Sequence, residues 1–306
     1  MTTTSTPLRT PPVWRSLMFV PVTVDKFVET AHTRGADGLI LDLEDSILPQ
    51  DKAEARERVA AAAKRVGRNG ADVLVRINRP WRLAVRDLEA LVCREITAVM
   101  LAKAEDARHV RFIAEILDEL EAERGLPNGH TRLMPALESP SALLRAEEIA
   151  AAHPRVVALT LGSEDFALSM GMAPTAEGLF YPKQQMAVAA RAAGVMPMGF
   201  MGSVADIRAP DAFRAVVDQA HRLGFMGACV IHPTLVAVLN DGYRPQPEEL
   251  AQARRVVQAF ETSGAAGAIR LDGKMVDLPI VDRARQLIAR DAAIEKRIGS
   301  RPAATA

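Results

Sequence analysis

The sequence predicts a (β/α)8 TIM barrel with a C-terminal helical lid extension. Three observations carry that prediction. Eight short apolar runs alternate with stretches that place Ala, Glu, Arg and Leu at helical spacing. The runs are almost continuously apolar, as parallel strands covered on both faces must be. No GxGxxG follows the first run, which disfavours an open, doubly wound sheet.

The first 14 residues are polar and proline-containing, and are read as a disordered tail. They hold no apolar segment of the kind a secretory signal needs. Strands are then expected at 16–20, 38–43, 73–77, 98–102, 132–137, 156–161, 195–200 and 228–231. Helices are expected at 51–66, 106–124, 140–152, 183–193 and 210–223. The methionine-rich tract 195–201 reads as barrel core. The barrel is assigned to 15–240 and the extension to 241–293. Within the extension, a helix over 247–263, the glycine-rich turn GAAGAIRLDGKM and a proline-started helix over 279–293 form a flap too short for a core of its own. Residues 294–306 read as a second tail.

Composition narrows the function classes. The 306 residues are 49 % hydrophobic and 25 % charged, ordinary for a globular protein. Lys plus Arg equals Asp plus Glu at 38 each, so no global basic footprint supports nucleic-acid binding. No run of about 18 apolar residues predicts a membrane span. The expected compartment is cytoplasmic. Cys93 and Cys229 are far apart and form no CxxC, which argues against a disulfide scaffold and a zinc–thiolate site. P-loop, nucleophile-elbow and HExxH motifs are absent.

In such barrels the C-terminal strand ends build the active site. Those ends carry Asp42, Glu44 and Asp45, then Arg76 and Asn78, Lys103, Glu138, Gly162 to Asp165, Ser203 and Asp206, and His232. The opposite ends offer His32, Arg34, Asp37, Asp72 and His153. Several acids at one mouth repel unless they are protonated, paired with a cation or bound to a metal. The donors are hard oxygens, which suit Mg2+ or Mn2+. Glu138 and Asp165 are the candidate metal pair; the competing reading has one of them salt-bridged to Arg76 or Lys103. Of Asp42, Glu44 and Asp45, one is expected beside the metal or its waters, with Glu44 and Asp45 ranked first and counted among the catalytic-site candidates. Arg76 is either an anion handle or the charge balance for Asp42 or Glu44. Lys103 is ranked as an electrostatic partner above a Schiff-base lysine. His232, before Pro233, reads more readily as a structural hydrogen-bonder than as a catalyst.

The stretches RSLMFVPVTVDKF, GLILDLEDS, VLVRIN, AVMLAKAED, PALESPSAL, LGSEDFALSMG, LFYPKQQMAVAARAAG, GACVIHPTLV and DGKMVDLPIVDRA resemble the CoA ester lyases of the HpcH/HpaI aldolase superfamily. These are the citrate lyase β-subunit-like, malyl-CoA and citramalyl-CoA lyases. The likeness runs in family order from about residue 15 to 292. It implies Mg2+ on Glu138 and Asp165, and Arg76 against the substrate or its thioester oxygen. It implies a CoA or substrate groove along Phe19, Lys26, Ile231 and His232. Phe19 stands where some members have tyrosine, and Ala102 where proline is usual. The resemblance further implies a homotrimer in which Asp277 serves a neighbouring subunit's site. The implied activity is retro-Claisen cleavage, or the reverse, of a 3-hydroxy-3-carboxyacyl-CoA. The alternatives are a malyl-CoA thioesterase, a CoA-independent hydroxy-keto-acid aldolase, and a non-catalytic subunit.

Overall fold

The computed structural model describes residues 11–203, 205, 210–264 and 267–301. Asp206 and most of the two expected tails lie outside the described residues. Two compact units divide after Tyr243, one up to that residue and one from Arg244 to Arg301.

The first unit contains strands β1 (Ser16–Pro21), β2 (Gly38–Asp42), β3 (Asp72–Ile77), β4 (Ala98–Leu101), β5 (Arg132–Leu137), β6 (Ala158–Leu161), β7 (Met196–Met198) and β8 (Ala228–Val230). Its helices are α1 (Asp25–Ala31), α2 (Lys52–Val66), α3 (Trp81–Leu91), α4 (Ala107–Glu123), α5 (Pro140–Leu144), α6 (Ala146–Ala151), α7 (Ser163–Met170), α8 (Ala176–Ala192), α9 (Pro210–Arg222) and α10 (Thr234–Gly242). The strands run parallel in sequence order from β1 to β7, and β8 pairs back onto β1. A Met198–Gly227 bridge closes the remaining gap between β7 and β8. Only glycine fits at 227, because a Cβ there would lie 1.8 Å from the Trp14 carbonyl oxygen. The protein is a TIM barrel.

Two apolar layers hold it. Leu17, Ile40, Leu74, Met134 and Met196 fill the inside, while Leu39, Leu41, Val73 and Val75 face the helices. This is the period-two alternation of a strand, with both faces apolar. The methionines of β7 lie in the inner layer.

Several boundaries differ from expectation. Trp14 is buried, and its indole nitrogen donates to Asp72 at 2.6 Å, so the tail ends before this residue. Helices α1, α3, α7 and α10 had no counterpart in the sequence reading. The expected 140–152 helix breaks at Arg145. Helix α8 begins at Ala176, capped by Thr175, and runs through Pro182, the residue that an interior-proline penalty would make a breaker.

The second unit holds α11 (Pro247–Ser263), β9 (Ala268–Leu271), β10 (Lys274–Asp277) and α12 (Leu278–Gly299). The expected glycine-rich turn is a β-hairpin. Asp272 and Gly273 both have positive φ, +51° and +77°, as the Asp-Gly turn of a tight hairpin requires. Ala253, Val256, Phe260, Val276, Val281 and Ala284 form a small core, contrary to expectation. Helix α12 passes 293 and ends at Gly299, with Lys296 and Arg297 in its last turn favouring the helix C-terminus. No described helix is long and apolar enough to cross a membrane.

Candidate active site

The inward alternation that buries Leu17, Ile40 and Leu74 puts Phe19, Asp42 and Arg76 at the next inward position up the barrel. Ala136 and Thr160 are likewise followed by Glu138 and Gly162. Register places Asp42 directly beside Arg76. The Arg76 guanidinium grips it with two bonds of 2.7 Å, from Nε and Nη2. The third face of that guanidinium, Nη1, lies 3.1 Å from Glu44 and 3.9 Å from Asp45.

Lys103 is the hub of the mouth. Its Nζ lies 2.5 Å from Glu44, 3.7 Å from Asp45, 3.7 Å from Glu138 and 3.8 Å from Asp165. Its backbone sits in the left-handed region at φ +51°, costly for a residue with a Cβ and concentrated at functional sites.

The charges answer to these contacts. Burial alone would raise the Asp42 carboxyl, but its double bond to Arg76 holds it below the usual range. Burial raises Glu44 above its usual range despite Arg76 and Lys103. Burial opposes charge on both cations too, yet the surrounding carboxylates push Arg76 and Lys103 above their ordinary values.

Glu138 is the outlier. Burial pushes its carboxyl up to about 8, Lys103 only partly offsets this, and Asp165 and Glu44 add to it. Its Oε2 is buried and makes no hydrogen bond. Gly162 leaves room for it, since a Cβ there would sit 2.6 Å from the Glu138 Cγ. Glu138 and Asp165 line one cleft of about 480 Å³ with Arg79, Lys103, Glu105, Leu168 and Ser169. Among the described residues no three His, Cys, Asp or Glu side chains converge as a metal cage. Mg2+ needs no such cage: one or two carboxylates with waters and substrate oxygens suffice. An unbonded buried carboxylate oxygen beside a half-exposed second carboxylate fits that ion.

A second cleft, of about 420 Å³, meets the first cluster at Asp42 and Arg76. Phe19, Phe27, Arg34, Ile231 and His232 line it. The Arg76 guanidinium carbon stands 5.0 Å from the Phe19 ring centre, a cation–π contact. Two exposed apolar side chains line it, Phe27 at 51 % and Ile231 at 45 % accessible.

A family profile described as HpcH/HpaI aldolase/citrate lyase matches residues 15–233. The chain belongs to this family. The citrate lyase subunit beta of Escherichia coli (strain K12) is 34 % identical over 283 residues, covering 90 % of this chain and 92 % of that protein. The L-malyl-CoA/beta-methylmalyl-CoA lyase of Rhodobacter capsulatus is 31 % identical over 307 residues, covering 92 % and 95 %. Among solved structures, CitE of Mycobacterium tuberculosis in complex with magnesium, acetoacetate and coenzyme A is 29 % identical, with TM-score 0.72 over 93 % of this chain and 100 % of that one. Membership of this family makes the chain a carbon–carbon lyase.

Within this family member, the structure brings Arg76, Glu44, Asp45, Glu138 and Asp165 into one charge network through Lys103. Both readings of Arg76 have their geometry: it balances Asp42 and Glu44, and it also faces the Phe19 cleft. Phe19, Ile231 and His232 share that cleft, but Lys26 is exposed on α1 and does not line it, whereas its neighbour Phe27 does. The His232 ring nitrogen Nδ1 pairs with the Thr234 hydroxyl at 2.7 Å, leaving the rest of the ring exposed. Asp277 lies in the second unit, where its side chain caps α12 by accepting from the Ile280 N–H at 3.4 Å.

Sequence reasoning passed over Arg79 and Glu105, and also a fully buried lysine, Lys183. The Lys183 Nζ donates to the carbonyls of Phe200, at 2.6 Å, and Gly202, tying down the chain after β7; burial pulls it down to about 7. The strand-end rule could have found Glu105, two residues past Lys103. Lys183 lies on a helix and had no such signal.

Proposed function

We propose that this lyase cleaves, or in reverse forms, a 3-hydroxy-3-carboxyacyl-CoA such as malyl-CoA or citramalyl-CoA, with Mg2+ as cofactor. The observation that carries the proposal is the Glu138–Asp165 pair. One buried oxygen there lacks any hydrogen bond, and Arg76 joins this mouth to a largely apolar cleft. The magnesium and coenzyme A of the M. tuberculosis relative, and the lyase names of the other relatives, support it.

Glu138 and Asp165 would hold the ion. Mg2+ bound there would supply Lewis-acid chemistry toward the substrate hydroxyl and the carbonyl that forms from it. Lys103 keeps four carboxylates from repelling one another and so presets the pair. In the cleavage direction the C3 hydroxyl proton leaves to solvent, and the C2–C3 bonding pair becomes a thioester enolate. Arg76, locked by Asp42, stabilises the enolate oxygen. Asp277, delivered from a neighbouring subunit of a trimer, protonates the enolate carbon, and solvent restores its proton. The products are a 2-keto acid and an acyl-CoA. In condensation, Asp277 removes that proton instead.

The test is turnover of malyl-CoA and citramalyl-CoA with Mg2+ and with EDTA, following keto acid and thioester separately. Metal-dependent release of glyoxylate or pyruvate with the thioester intact is the expected result. Loss of the thioester without keto acid would replace the lyase reading with hydrolysis.

A further inference from the structure

Lys183 is a charged residue set into the apolar face of α8. Leu179, Pro182, Met186 and Ala187 are buried on the same helix, and Lys183 itself is only 3 % accessible. Burying an ammonium group is costly, and a methionine would suit the position without that cost. Burial pulls the amine down to about 7, and Glu164 only partly offsets this. Backbone is what holds the charge in place. The Nζ donates to the Phe200 carbonyl at 2.6 Å and to the Gly202 carbonyl, and lies 5.2 Å from the centre of the Phe200 ring.

These two carbonyls belong to the chain leaving β7 at the mouth of the barrel. Gly199 and Gly202 bend it with φ of +152° and +153°, values that residues with a Cβ rarely adopt. Donors from three helical regions then fix it. The Tyr243 hydroxyl, just past α10, donates to the Gly199 carbonyl at 2.6 Å. Lys183 donates from α8, and the Ser163 hydroxyl, the first residue of α7, donates to the Gly202 carbonyl at 3.2 Å. The next residue, Ser203, donates its hydroxyl to the Glu164 carboxylate. Residues 202 and 203 thus hold both residues that precede Asp165. Without Lys183, the buried Phe200 carbonyl would lose its charged donor, and Gly202 would keep only a serine hydroxyl.

We infer that Lys183 is a positioning residue: its buried ammonium clamps the segment after β7 onto the first turn of α7 and so sets the place of Asp165 beside Glu138. The inference rests on the reading of those two carboxylates as the Mg2+ pair, but the clamp itself needs no metal. The competing role is purely structural, in which Lys183 satisfies two buried carbonyls and the acidic pair is indifferent to it.

Two measurements on the full-length protein test it. The first is amide hydrogen exchange without metal, in the native protein and in Lys183→Met. Exchange should quicken about 10-fold or more in both 199–203 and 163–166, with β2 unchanged. Faster exchange in 199–203 alone, or an equal rise throughout the chain, overturns the inference. The second is calorimetric titration with Mg2+. Lys183→Met should raise the Kd about 10- to 100-fold, the scale of changes that disturb the support of a metal ligand. Lys183→Arg, which keeps the charge and the donors, should stay within about threefold of native. Native Mg2+ affinity in a Lys183→Met protein of lower melting temperature leaves the residue a structural one and overturns the inference. Ser203→Ala cuts the bridge at its other end with Lys183 in place, and decides the matter if Lys183→Met does not fold. It should weaken Mg2+ binding in the same direction, and native affinity in this variant overturns the inference. Should the native protein bind no Mg2+, the metal reading falls, and the exchange pattern alone upholds or overturns the clamp.

Discussion

At the base of the barrel, Arg15 embraces Asp37 with bonds of 2.8 and 2.9 Å, and Arg155 holds Glu121 at 2.6 and 2.8 Å while also reaching Asp118 and the Thr131 carbonyl. At the mouth, Lys103 is shared among four carboxylates, and a buried oxygen of Glu138 makes no hydrogen bond. The residue types are the same. At the base the buried carboxylates Asp37 and Glu121 are each gripped by an arginine through two bonds, and such satisfied pairs position strands. At the mouth acids outnumber cations, and the imbalance shows in the raised Glu138 carboxyl and its unbonded oxygen. Unsatisfied local rules tend to mark function, and satisfied ones the fold.

The largest effect should come from completing the mouth artificially. Glu138→Gln keeps shape and removes the charge that a metal needs. Turnover should fall by about 1,000-fold or more, the scale of several kcal/mol of transition-state stabilisation. Mg2+ affinity should fall by more than the roughly 10- to 100-fold typical of outer-shell changes. The melting temperature without metal should change little, because burial already pushes this carboxyl up to about 8 and leaves it largely uncharged near neutral pH. A variant with native Mg2+ affinity in calorimetry would break the contrast between the two ends.

Asp277 permits a finer division of the same kind within the second unit. Its side chain caps α12, so a purely structural role is available to it. Asp277→Asn keeps an acceptor for the cap but loses the acid, and turnover should fall about 100- to 10,000-fold with little change in melting temperature. Asp277→Ala should lose the cap as well, at a further cost of about 1 kcal/mol of stability. Full turnover in either variant would leave the residue as a cap alone.

How much of this could be read from the sequence follows from the same division. The barrel strands were legible because both faces are apolar, leaving runs that need no partner to be seen. The mouth acids and Arg76 were legible because strand alternation and the strand-end rule place them without tertiary knowledge. Lys103 was visible as a residue but not as a hub: its positive φ has no signature in a lysine, and its four partners come from three other strand ends. The pairing of Arg76 with Asp42 depends on register between neighbouring strands, which no single-strand pattern encodes. The hairpin of the second unit was missed although Asp272-Gly273 is a strong turn signal, because its flanking strands are only four residues each and mostly exposed. The burial of Trp14 depends on a long-range bond to Asp72, invisible in a polar, proline-rich leader.

The base should respond in stability and not in chemistry. Arg155→Met leaves the fully buried Glu121 with backbone N–H donors from Thr131 and Gly129 but without its cation. Removing one partner of a buried pair costs about 3–5 kcal/mol, so the unfolding free energy should fall by that amount and the denaturation midpoint with it. The kcat of the folded fraction should stay at the native value. A comparable loss of kcat would mean that the two ends are coupled and the contrast is false.

The smallest effect is a pH dependence, and its sign follows from the base pairs. Burial alone would raise Glu121 and Asp118, but Arg155 and the donors around them hold both below the ordinary carboxylate range. A carboxyl depressed in the folded state binds fewer protons than in the unfolded chain, so it adds stability above its unfolded pKa. That contribution is fully present above about pH 4.5 and disappears as pH falls through the depressed value. Native protein should therefore lose melting temperature on going from pH 5 to pH 3. In Arg155→Met the two acids lose their main depressor, so the drop over that interval should be smaller by about 2 °C or more, the shift that about 1 kcal/mol produces in a large domain. Some acid sensitivity must survive in the variant, because Asp42 at the mouth is also held low, by Arg76. An acid profile parallel to the native one would show that the mouth, and not the base, carries the protein's acid sensitivity.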